Sequence, residues 1–206
     1  METPAGTPAI VLLAAGEGRR FGGAKQLADF DGEPMVRRVA RDLLALDCPL
    51  VAVIGARAER VAPVLQDLPL VIIRNDNWQN GLGSSIACGV RHVGQAHAHA
   101  SGVLLCLADQ PMVGGDHLRR MLARHRDVPD CLLVTCHEDV SGPPVLFPRD
   151  CMPELADLDG PVGARTLIQR EAARVERFHL AEHPDVDTPA DLDRLRALLA
   201  PGSTDQ

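Results

Sequence analysis

Short apolar runs that alternate with helical stretches constrain the fold of this chain more than any other feature. Between the first two runs, apolar residues from Met35 to Leu46 recur at threes and fours, as on one face of an amphipathic helix. The runs themselves are continuously apolar, as in parallel strands that are covered on both faces. The alternation predicts βαβ units and a three-layer α/β/α sandwich around a Rossmann-like, mostly parallel sheet. The predicted strands are Ala9–Leu13, Leu50–Ile54, Leu70–Ile73, Val103–Leu107 and Cys131–Thr135.

The size and composition of the chain fit a single domain that spans residues 1–206. With 206 residues, of which 46% are apolar and 24% charged, the chain can bury a core without disulfides. No apolar run approaches the roughly 20 residues that cross a bilayer, and the opening residues lack the basic start of a secretory signal. We therefore expect a cytoplasmic protein without a membrane partner, with disordered tails at residues 1–8 and 201–206.

The charge balance disfavours nucleic acid as a partner. The chain has 21 basic and 28 acidic residues, a net charge of −7, so it offers no general attraction to polyanions. One tryptophan and no tyrosine leave no aromatic platform for single-stranded bases. An anionic ligand must therefore be bound locally, by a few cations, backbone amides or a metal ion.

Two segments late in the chain have distinct patterns. The segment from His137 to Arg165 is rich in proline and glycine and predicts irregular structure or a short hairpin, where substrate-specific elaboration often lies. A last helix is predicted over Pro189–Leu199, because Thr188 can cap its first turn and proline suits the first helical position.

A glycine-rich stretch, LLAAGEGRRFGGAKQ at Leu12–Gln26, carries the strongest functional signal. It follows the first predicted strand and precedes the first long helix, so its backbone amides lie at the carboxyl edge of the sheet, where nucleotides bind in open α/β folds. Gly16 and Gly18 allow close backbone approach to phosphates. Arg19 and Lys25 can neutralise charge on a departing pyrophosphate. The stretch predicts a triphosphate site with Arg19 and Lys25 as catalytic cations.

Two common nucleotide motifs do not fit this stretch. A P-loop needs Ser or Thr after its lysine, whereas Gln26 follows Lys25. A dinucleotide fingerprint needs GxGxxG and an acid at the end of the second strand. Here the first, second and third glycines, Gly16, Gly18 and Gly22, give GxGxxxG, and no acid ends the second strand.

Two aspartates are candidate metal ligands. Asp109 lies in LADQP at the end of the fourth predicted strand, where a carboxylate can bind Mg²⁺ against the triphosphate. Asp187, in DVDTP, is the second candidate, because two carboxylates commonly share a phosphoryl-transfer metal. The alternative for Asp187 is that it only caps the last helix.

The segment NDNWQNGLGSSIACG, at Asn75–Gly89, is a weaker candidate for contact with the base or ribose. Its Gly81, Gly83, Ser84 and Ser85 offer amides and hydroxyls at a predicted helix start. The alternative is an ordinary turn with a serine cap, and composition alone favours that alternative.

The cysteines and histidines do not form a recognisable catalytic or metal pattern. The six cysteines contain no CxxC pair and predict free thiols, with Cys131 and Cys136 as strand-packing residues and not a zinc half-site. His97 and His99 alternate with alanines in a predicted loop. His117, on an amphipathic helix, is expected at the surface or at its boundary.

Taken in order, LAAGEGRRFGGAKQ, NGLGSSIACG, LADQP, GPPVLF and DVDTPADL resemble the molybdenum-cofactor nucleotidyltransferase family. The resemblance extends from Leu12 to about Leu198. It is closest to the cytidylyltransferase branch, since LAAG and KQ match that signature, whereas the guanylyltransferase branch typically carries LAGG.

The resemblance implies a fold of the nucleotide-diphospho-sugar transferase type and transfer of CMP from CTP to molybdopterin. It implies Mg²⁺ bound by Asp109 and Asp187, and a molybdenum hydroxylase as a partner that receives the product. It places Arg19 and Lys25 at the phosphates and the GLGSSI segment near base and sugar. The residues implied to meet the nucleotide are Leu13, Ala14, Ala15 and Gly16, and those near the acceptor are Gly163, Ala164 and Arg165.

Two departures from the family pattern fall in the implied acceptor region. Pro161 replaces the carboxylate of GDxGAR, and Pro143 replaces a histidine frequent in GHPxxF. Another triphosphate, or a sugar or alcohol phosphate acceptor, therefore stays open. A non-catalytic cofactor carrier is a further alternative, which the retained acids of LADQP and DVDTP disfavour.

Overall fold

The computed structural model describes residues 6–137, 140–180 and 185–199. Seven strands form one sheet in the order β5-β4-β1-β6-β8-β7-β9, and β2 pairs with β3 in a separate small hairpin. The strands are β1 Ala9–Ala14, β2 Asp29–Phe30, β3 Glu33–Pro34, β4 Leu50–Ile54, β5 Val71–Arg74, β6 Gly102–Leu107, β7 Leu132–His137, β8 Val140–Pro148 and β9 Val175–His179.

Helices cover both faces of the sheet. Helices α1, α2 and α4 contribute to one apolar cluster with alternate strand residues such as Ile10 and Leu12. Helices α3, α5 and α6 pack on the opposite face with Val11 and Leu13. This arrangement confirms the three-layer sandwich. The helices are α1 Met35–Leu44, α2 Ala58–Leu65, α3 Leu82–Ala96, α4 Gly115–Asp127, α5 Met152–Ala156, α6 Arg165–Arg170 and α7 Pro189–Leu199.

The sheet is mostly parallel, as predicted, and all five predicted strands are present within one or two residues of their expected bounds. Strands β5, β4, β1 and β6 run parallel to one another, and β9 runs parallel to β7. Strand β8 lies between β6 and β7 and is antiparallel to both. The carboxyl ends of β1 and β6 are adjacent, and Ala108 N donates to Leu13 O over 3.1 Å.

The segment after β7 is more regular than its composition predicts. It forms a hairpin, as one alternative proposed, but β8 is a nine-residue strand in the interior of the sheet. Its pairing with β7 passes from Val145 opposite Val134 to Gly142 opposite Thr135, and this shift leaves out Pro143 and Pro144. Prolines are tolerated at such bulges because they remove no ladder hydrogen bond there. Because of these prolines, the sequence pattern did not predict the strand, although Val145 to Pro148, which follow them, are buried.

Strand β9 was not predicted from the sequence. Its residues VERFH contain only two apolar side chains, Val175 and Phe178, with two charged residues between them, and the strand forms one edge of the sheet. A short run interrupted by charges gives no continuous apolar signal.

Helix α7 spans the predicted residues and is capped as expected. The Thr188 hydroxyl accepts from Asp191 N at 3.2 Å, and the Asp191 carboxylate accepts from Thr188 N at 2.8 Å. The helix packs on the small β2–β3 hairpin through a third apolar cluster that includes Phe30, Val186 and Leu195. At the other terminus, Pro8 is buried and Ser101 N donates to Thr7 O, while residues 1–5 and 200–206 lie outside the described residues.

Candidate active site

The glycine-rich turn leaves β1 at the carboxyl edge of the sheet and folds back on itself. Phe21 N and Gly23 N both donate to Gly18 O, and Lys25 N donates to Gly23 O at 2.9 Å. Gly18 and Gly22 have φ of 73° and 77°, a conformation that favours glycine. The turn therefore returns the chain toward the sheet, where Lys25 begins a short 3-10 helix.

Gln26 fixes this turn, a role that the sequence analysis missed. Its side chain is only 2% exposed, and its Nε2 donates to Gly16 O at 2.6 Å and to Ala14 O at 3.3 Å. A buried amide that satisfies two backbone carbonyls makes a polar loop rigid. The KQ pair gave the signal, but the sequence alone could not show where the glutamine pointed.

The cation and both predicted acids meet beside this turn. Lys25 Nζ donates to Asp109 Oδ2 in a short contact and to Asp187 Oδ1 at 3.2 Å. The side chains of Lys25 and Asp109 are 14% and 17% exposed, so water screens the pair weakly. The loops carrying the acids are joined directly, since Val186 N donates to Asp109 O at 3.0 Å.

The sequence left two roles open for Asp187, as a metal ligand or as the cap of the last helix, and these contacts distinguish them. Its carboxylate points to Lys25, and the adjacent Thr188 caps α7 together with Asp191. Arg20 also reaches Asp187, with Nη1 2.9 Å from Oδ2. Arg19, the predicted catalytic cation, bonds to Glu17 and is 84% exposed. The structure thus brings Lys25 and Arg20 to the acids and leaves Arg19 at the rim.

Burial and charge shift the pKa values of the central pair. Burial raises the pKa of the Asp109 carboxyl above its usual range, and the Lys25 ammonium opposes that rise. Burial alone would lower the pKa of Lys25, but Asp109 and then Asp187 outweigh it, so the pKa of Lys25 is raised. Lys25 is consequently a permanent cation at neutral pH.

The carboxylates fit a hard divalent cation that keeps water and phosphate ligands. Asp109 Oδ1 is buried and has no hydrogen-bond partner among the described residues, so one oxygen is available for such an ion. Within those residues no group of three or more His, Cys, Asp or Glu side chains is arranged to enclose a metal. Mg²⁺ is typically bound by only one or two carboxylates, with substrate phosphates completing its shell.

A cavity of about 540 Å³ opens over this cluster and can hold a nucleotide. Most of the residues predicted to bind the nucleotide, and both predicted metal ligands, line it: Leu13, Ala15, Gly16, Gly18, Arg19, Lys25, Gly81, Ser85, Asp109 and Asp187. Trp78 and Gln79, which belong to the predicted segment Asn75–Gly89, also line it, as does Asp185, but none of the three was singled out from the sequence.

Three residues predicted at the nucleotide lie behind the cavity wall. Ala14 packs into the apolar cluster on the other side of the sheet. Gly83 N donates to Gly160 O at 2.9 Å, and the Ser84 hydroxyl contacts Gly81 O and Asn77 O, both at 2.9 Å. These groups are used inside the turn, as the ordinary-turn alternative predicts, because α3 starts against the 159–160 backbone.

A second cavity, of about 810 Å³, adjoins the first and shares Leu13 and Leu82 with it. Its walls are largely apolar, and its charged lining residues within the described chain are Arg165 and Arg177. Of the predicted acceptor residues, Ala164 and Arg165 line this cavity. The third, Gly163, packs against Leu82.

The two proline departures lie in different places. Pro143 lines the second cavity, and its carbonyl accepts from Gln110 Nε2 at 3.1 Å. Pro161 lies against Gly81, at the wall of the first cavity.

The histidines and cysteines agree with a structural role, with one correction. His117 is 3% exposed and its Nε2 lies 2.9 Å from Thr135 Oγ1, so it is a core residue and not the surface or boundary residue that was predicted. The amphipathic pattern failed because a polar partner on β7 faces α4. All six cysteines are free thiols, as expected, and Cys136 is buried in β7.

A glycine-rich turn, a largely buried lysine and two acids at the carboxyl edge of a mostly parallel sheet define an enzyme that binds a nucleoside triphosphate for phosphoryl transfer. The described part of the chain contains no helix long and apolar enough to span a membrane.

Comparisons with known proteins agree with this class. A model of the MobA-like NTP transferase domain matches residues 10–175. The nicotine blue oxidoreductase of Paenarthrobacter nicotinovorans is 30% identical over 90% of this chain and 94% of its own length. The purine catabolism protein PucB of Bacillus subtilis (strain 168) is 29% identical over 92% and 96%.

Solved structures extend the likeness. Rv0371c from Mycobacterium tuberculosis H37Rv, solved in complex with manganese, has a TM-score of 0.77 and 25% identity, covering 93% of this chain and 98% of its own. A CMP:2-keto-3-deoxy-manno-octonic acid synthetase complexed with CTP shares the fold, with a TM-score of 0.74, 19% identity and coverage of 94% and 98%. The chain belongs to the MobA-like NTP transferase family and is a nucleotidyltransferase with the fold of nucleotide-diphospho-sugar transferases.

Proposed function

We propose that this chain transfers CMP from CTP to the terminal phosphate of molybdopterin and releases pyrophosphate, with Mg²⁺ as its cofactor. The observation that carries the proposal is the convergence of Lys25, Asp109 and Asp187 beside the glycine-rich turn. The LAAG and KQ motifs support the choice of CTP through their resemblance to the cytidylyltransferase branch. The manganese complex of the mycobacterial relative supports a divalent cation.

The residues of the site would supply most of the chemistry by position and charge. Asp109 and Asp187 would hold Mg²⁺, which when bound neutralises the triphosphate. Lys25 and Arg20 lie where they can contact its phosphates, with Arg19 at the rim. A phosphate monoester is already ionised near neutral pH, so an acceptor phosphate can attack the α-phosphorus in line without a dedicated base. Pyrophosphate then leaves with its negative charge partly neutralised.

The second cavity is the proposed acceptor site. It joins the nucleotide cavity at Leu13 and Leu82, so an acceptor there can reach the α-phosphate. Arg165 lines this cavity and forms no salt bridge with a carboxylate among the described residues, so it is available to an anionic acceptor. Molybdopterin carries such a phosphate, and a molybdenum hydroxylase would be the recipient of the product.

A pyrophosphate-release assay tests the proposal. The purified enzyme is incubated with Mg²⁺ and each of CTP, GTP, ATP and UTP, with and without molybdopterin. We expect release only with both substrates, and fastest with CTP. A preference for another triphosphate, or turnover with a sugar phosphate instead, would support the alternative same-fold transferases. Tight nucleotide binding without any pyrophosphate would support the non-catalytic carrier.

Site variants test the residue roles within the same assay. Asp109→Asn and Lys25→Ala should lower turnover by orders of magnitude, because both remove charge at the reacting phosphates. Arg20→Ala should lower kcat/KM for CTP more than Arg19→Ala does, since Arg20 contacts Asp187 and Arg19 does not. Wild-type pyrophosphate release from Asp109→Asn would contradict the assignment.

A second candidate function follows from the 30% identity to a protein named an oxidoreductase. Under this alternative the chain would reduce an organic acceptor at the expense of a nicotinamide cofactor. The GxGxxxG spacing of Gly16, Gly18 and Gly22 disfavours it, since it departs from the dinucleotide fingerprint. Oxidation of NADH or NADPH with nicotine blue as the acceptor is the direct test, and turnover would favour this function.

A further inference from the structure

Lys25 is unusual in the composition of this protein. The sequence contains 21 lysine and arginine residues together, and Lys25 is the only lysine among them. Arginine presents a wide, planar fork, whereas lysine presents a compact charge on a flexible stem. A compact charge on a flexible stem can move between two sets of partners, so the ammonium of Lys25 can exchange one set of contacts for another.

Its contacts are those that a cation bridging two carboxylates would make. Nζ donates to one oxygen of Asp109 and to one oxygen of Asp187, and the lysine side chain is 14% exposed. An ammonium and a divalent cation cannot both lie between the same two carboxylates. Lys25 must therefore leave them before both can bind the same metal ion.

Hydrogen bonds fix the backbone around Lys25, so that only its side chain is free to move. Lys25 N is bonded to Gly23 O, and the next residue, Gln26, is buried and bonded to Ala14 O and Gly16 O. The lysine stem points into the cavity that can hold a triphosphate, and Gly16 and Gly18 line the same cavity. When a triphosphate occupies that cavity, its phosphate oxygens are new hydrogen-bond partners within reach of the Lys25 ammonium.

We propose that Lys25 occupies the cation position between Asp109 and Asp187 while the nucleotide site is empty, and moves to the phosphates when a triphosphate binds. The nucleotide-free enzyme then binds divalent metal weakly, and triphosphate and metal strengthen each other's binding. The inference rests on the proposed metal site.

Metal binding to nucleotide-free protein tests the inference without any turnover. Mn²⁺ is titrated into the wild type, Lys25→Met, Arg19→Met and Asp109→Asn, and free Mn²⁺ is followed by electron paramagnetic resonance. Lys25→Met should bind Mn²⁺ about tenfold more tightly than the wild type, since a charged hydrogen-bonded competitor is lost. Arg19→Met is the matched control and should bind like the wild type, because Arg19 contacts Glu17 and neither acid. In Lys25→Met/Asp109→Asn the gain should disappear.

A spectroscopic measurement on the wild type covers the case in which Lys25→Met fails to fold. Protein labelled with ¹⁵N at the lysine side chain gives one ammonium signal from the chain, because Lys25 is its only lysine. The signal should hold its position when Mg²⁺ is added alone at concentrations below its dissociation constant from the nucleotide-free enzyme. It should shift when Mg²⁺ is added together with the α,β-methylene analogue of CTP.

The outcomes separate the two proposals. If Asp109→Asn weakens Mn²⁺ binding in the wild-type background but Lys25→Met does not tighten it, the inference about Lys25 is overturned while the metal site stands. If Asp109→Asn changes Mn²⁺ binding in neither background, the metal site itself is wrong and the inference falls with it. A lysine signal that stays fixed with metal and analogue together also overturns the inference.

Discussion

Two glycines of the glycine-rich turn offer a matched test of whether its backbone path positions Lys25. Gly18 and Gly22 both have positive φ, so alanine at either position costs about 1 kcal/mol of backbone strain. A Cβ at Gly22 would meet nothing within 4 Å. A Cβ at Gly18 would lie 2.1 Å from Gly23 O. The two substitutions therefore share the strain and differ in the steric clash.

The clash at Gly18 acts on the position of Lys25. Gly23 O must retreat by about 0.9 Å before the new Cβ reaches 3.0 Å, a distance below which real Cβ contacts essentially never lie. The same carbonyl accepts the Lys25 N–H at 2.9 Å. A displacement of about 1 Å in a positioning group can cost about 100-fold in rate. We expect Gly18→Ala to lower kcat/KM for the triphosphate about 100-fold and Gly22→Ala to lower it less than about fivefold.

Steady-state pyrophosphate release measures the effect, and urea unfolding accompanies it. Gly22→Ala should lose about 1 kcal/mol of unfolding free energy, and Gly18→Ala about 1 to 3 kcal/mol more for the overpacking. Circular dichroism confirms that each variant is folded during the assay. Equal kcat/KM values for two folded variants would refute the argument that the Gly18–Gly23 contact sets the position of Lys25.

Three further predictions test packing and charge away from the site. In α3, Gly89→Ala places a Cβ 2.5 Å from a buried valine and should lower the free energy of unfolding by about 1 to 3 kcal/mol in urea. Gly94→Ala in the same helix meets nothing within 4 Å and should raise it by about 0.5 to 1 kcal/mol; the reverse order would contradict the assigned packing. Arg37 lowers the pKa of Asp67 to about 2, so the stability from this pair is complete above about pH 4 and is lost as pH falls toward 2. Asp67→Asn should flatten that part of an acid-unfolding profile. Burial raises the pKa of the Cys106 thiol, so this cysteine should react with a thiol reagent only on unfolding.

Part of the site was predictable because parallel strands carry their carboxyl ends to one edge. Strands β1 and β6 are neighbours in register, with Leu13 opposite Leu107, so the glycine-rich turn and Asp109 necessarily start from adjacent positions. Continuous apolar runs identified both strands. The same reasoning failed for β8, since its prolines lie at a bulge and conceal the buried residues that follow.

The sequence pattern did not predict the direction in which individual side chains point. Arg19 and Arg20 are neighbours in the sequence, and only the geometry of the turn decides that Arg20 reaches Asp187. Gln26 is polar and follows a glycine-rich loop, so its pattern suggests exposure. Its burial follows from two backbone carbonyls that the turn leaves in need of donors.

The second acid depends on packing that lies far from it in sequence. Asp187 reaches Lys25 because Val186 is buried against the β2–β3 hairpin and donates its N–H to Asp109 O. Helix α7 docks on that hairpin through Leu192 and Leu195, and none of its side chains that the structure describes joins either large apolar cluster. A small satellite cluster is among the least costly parts of a fold to open locally. The completeness of the acid pair is therefore tied to the docking of α7, so we expect the metal affinity of the proposed site to depend on a local stability that is lower than that of the sheet.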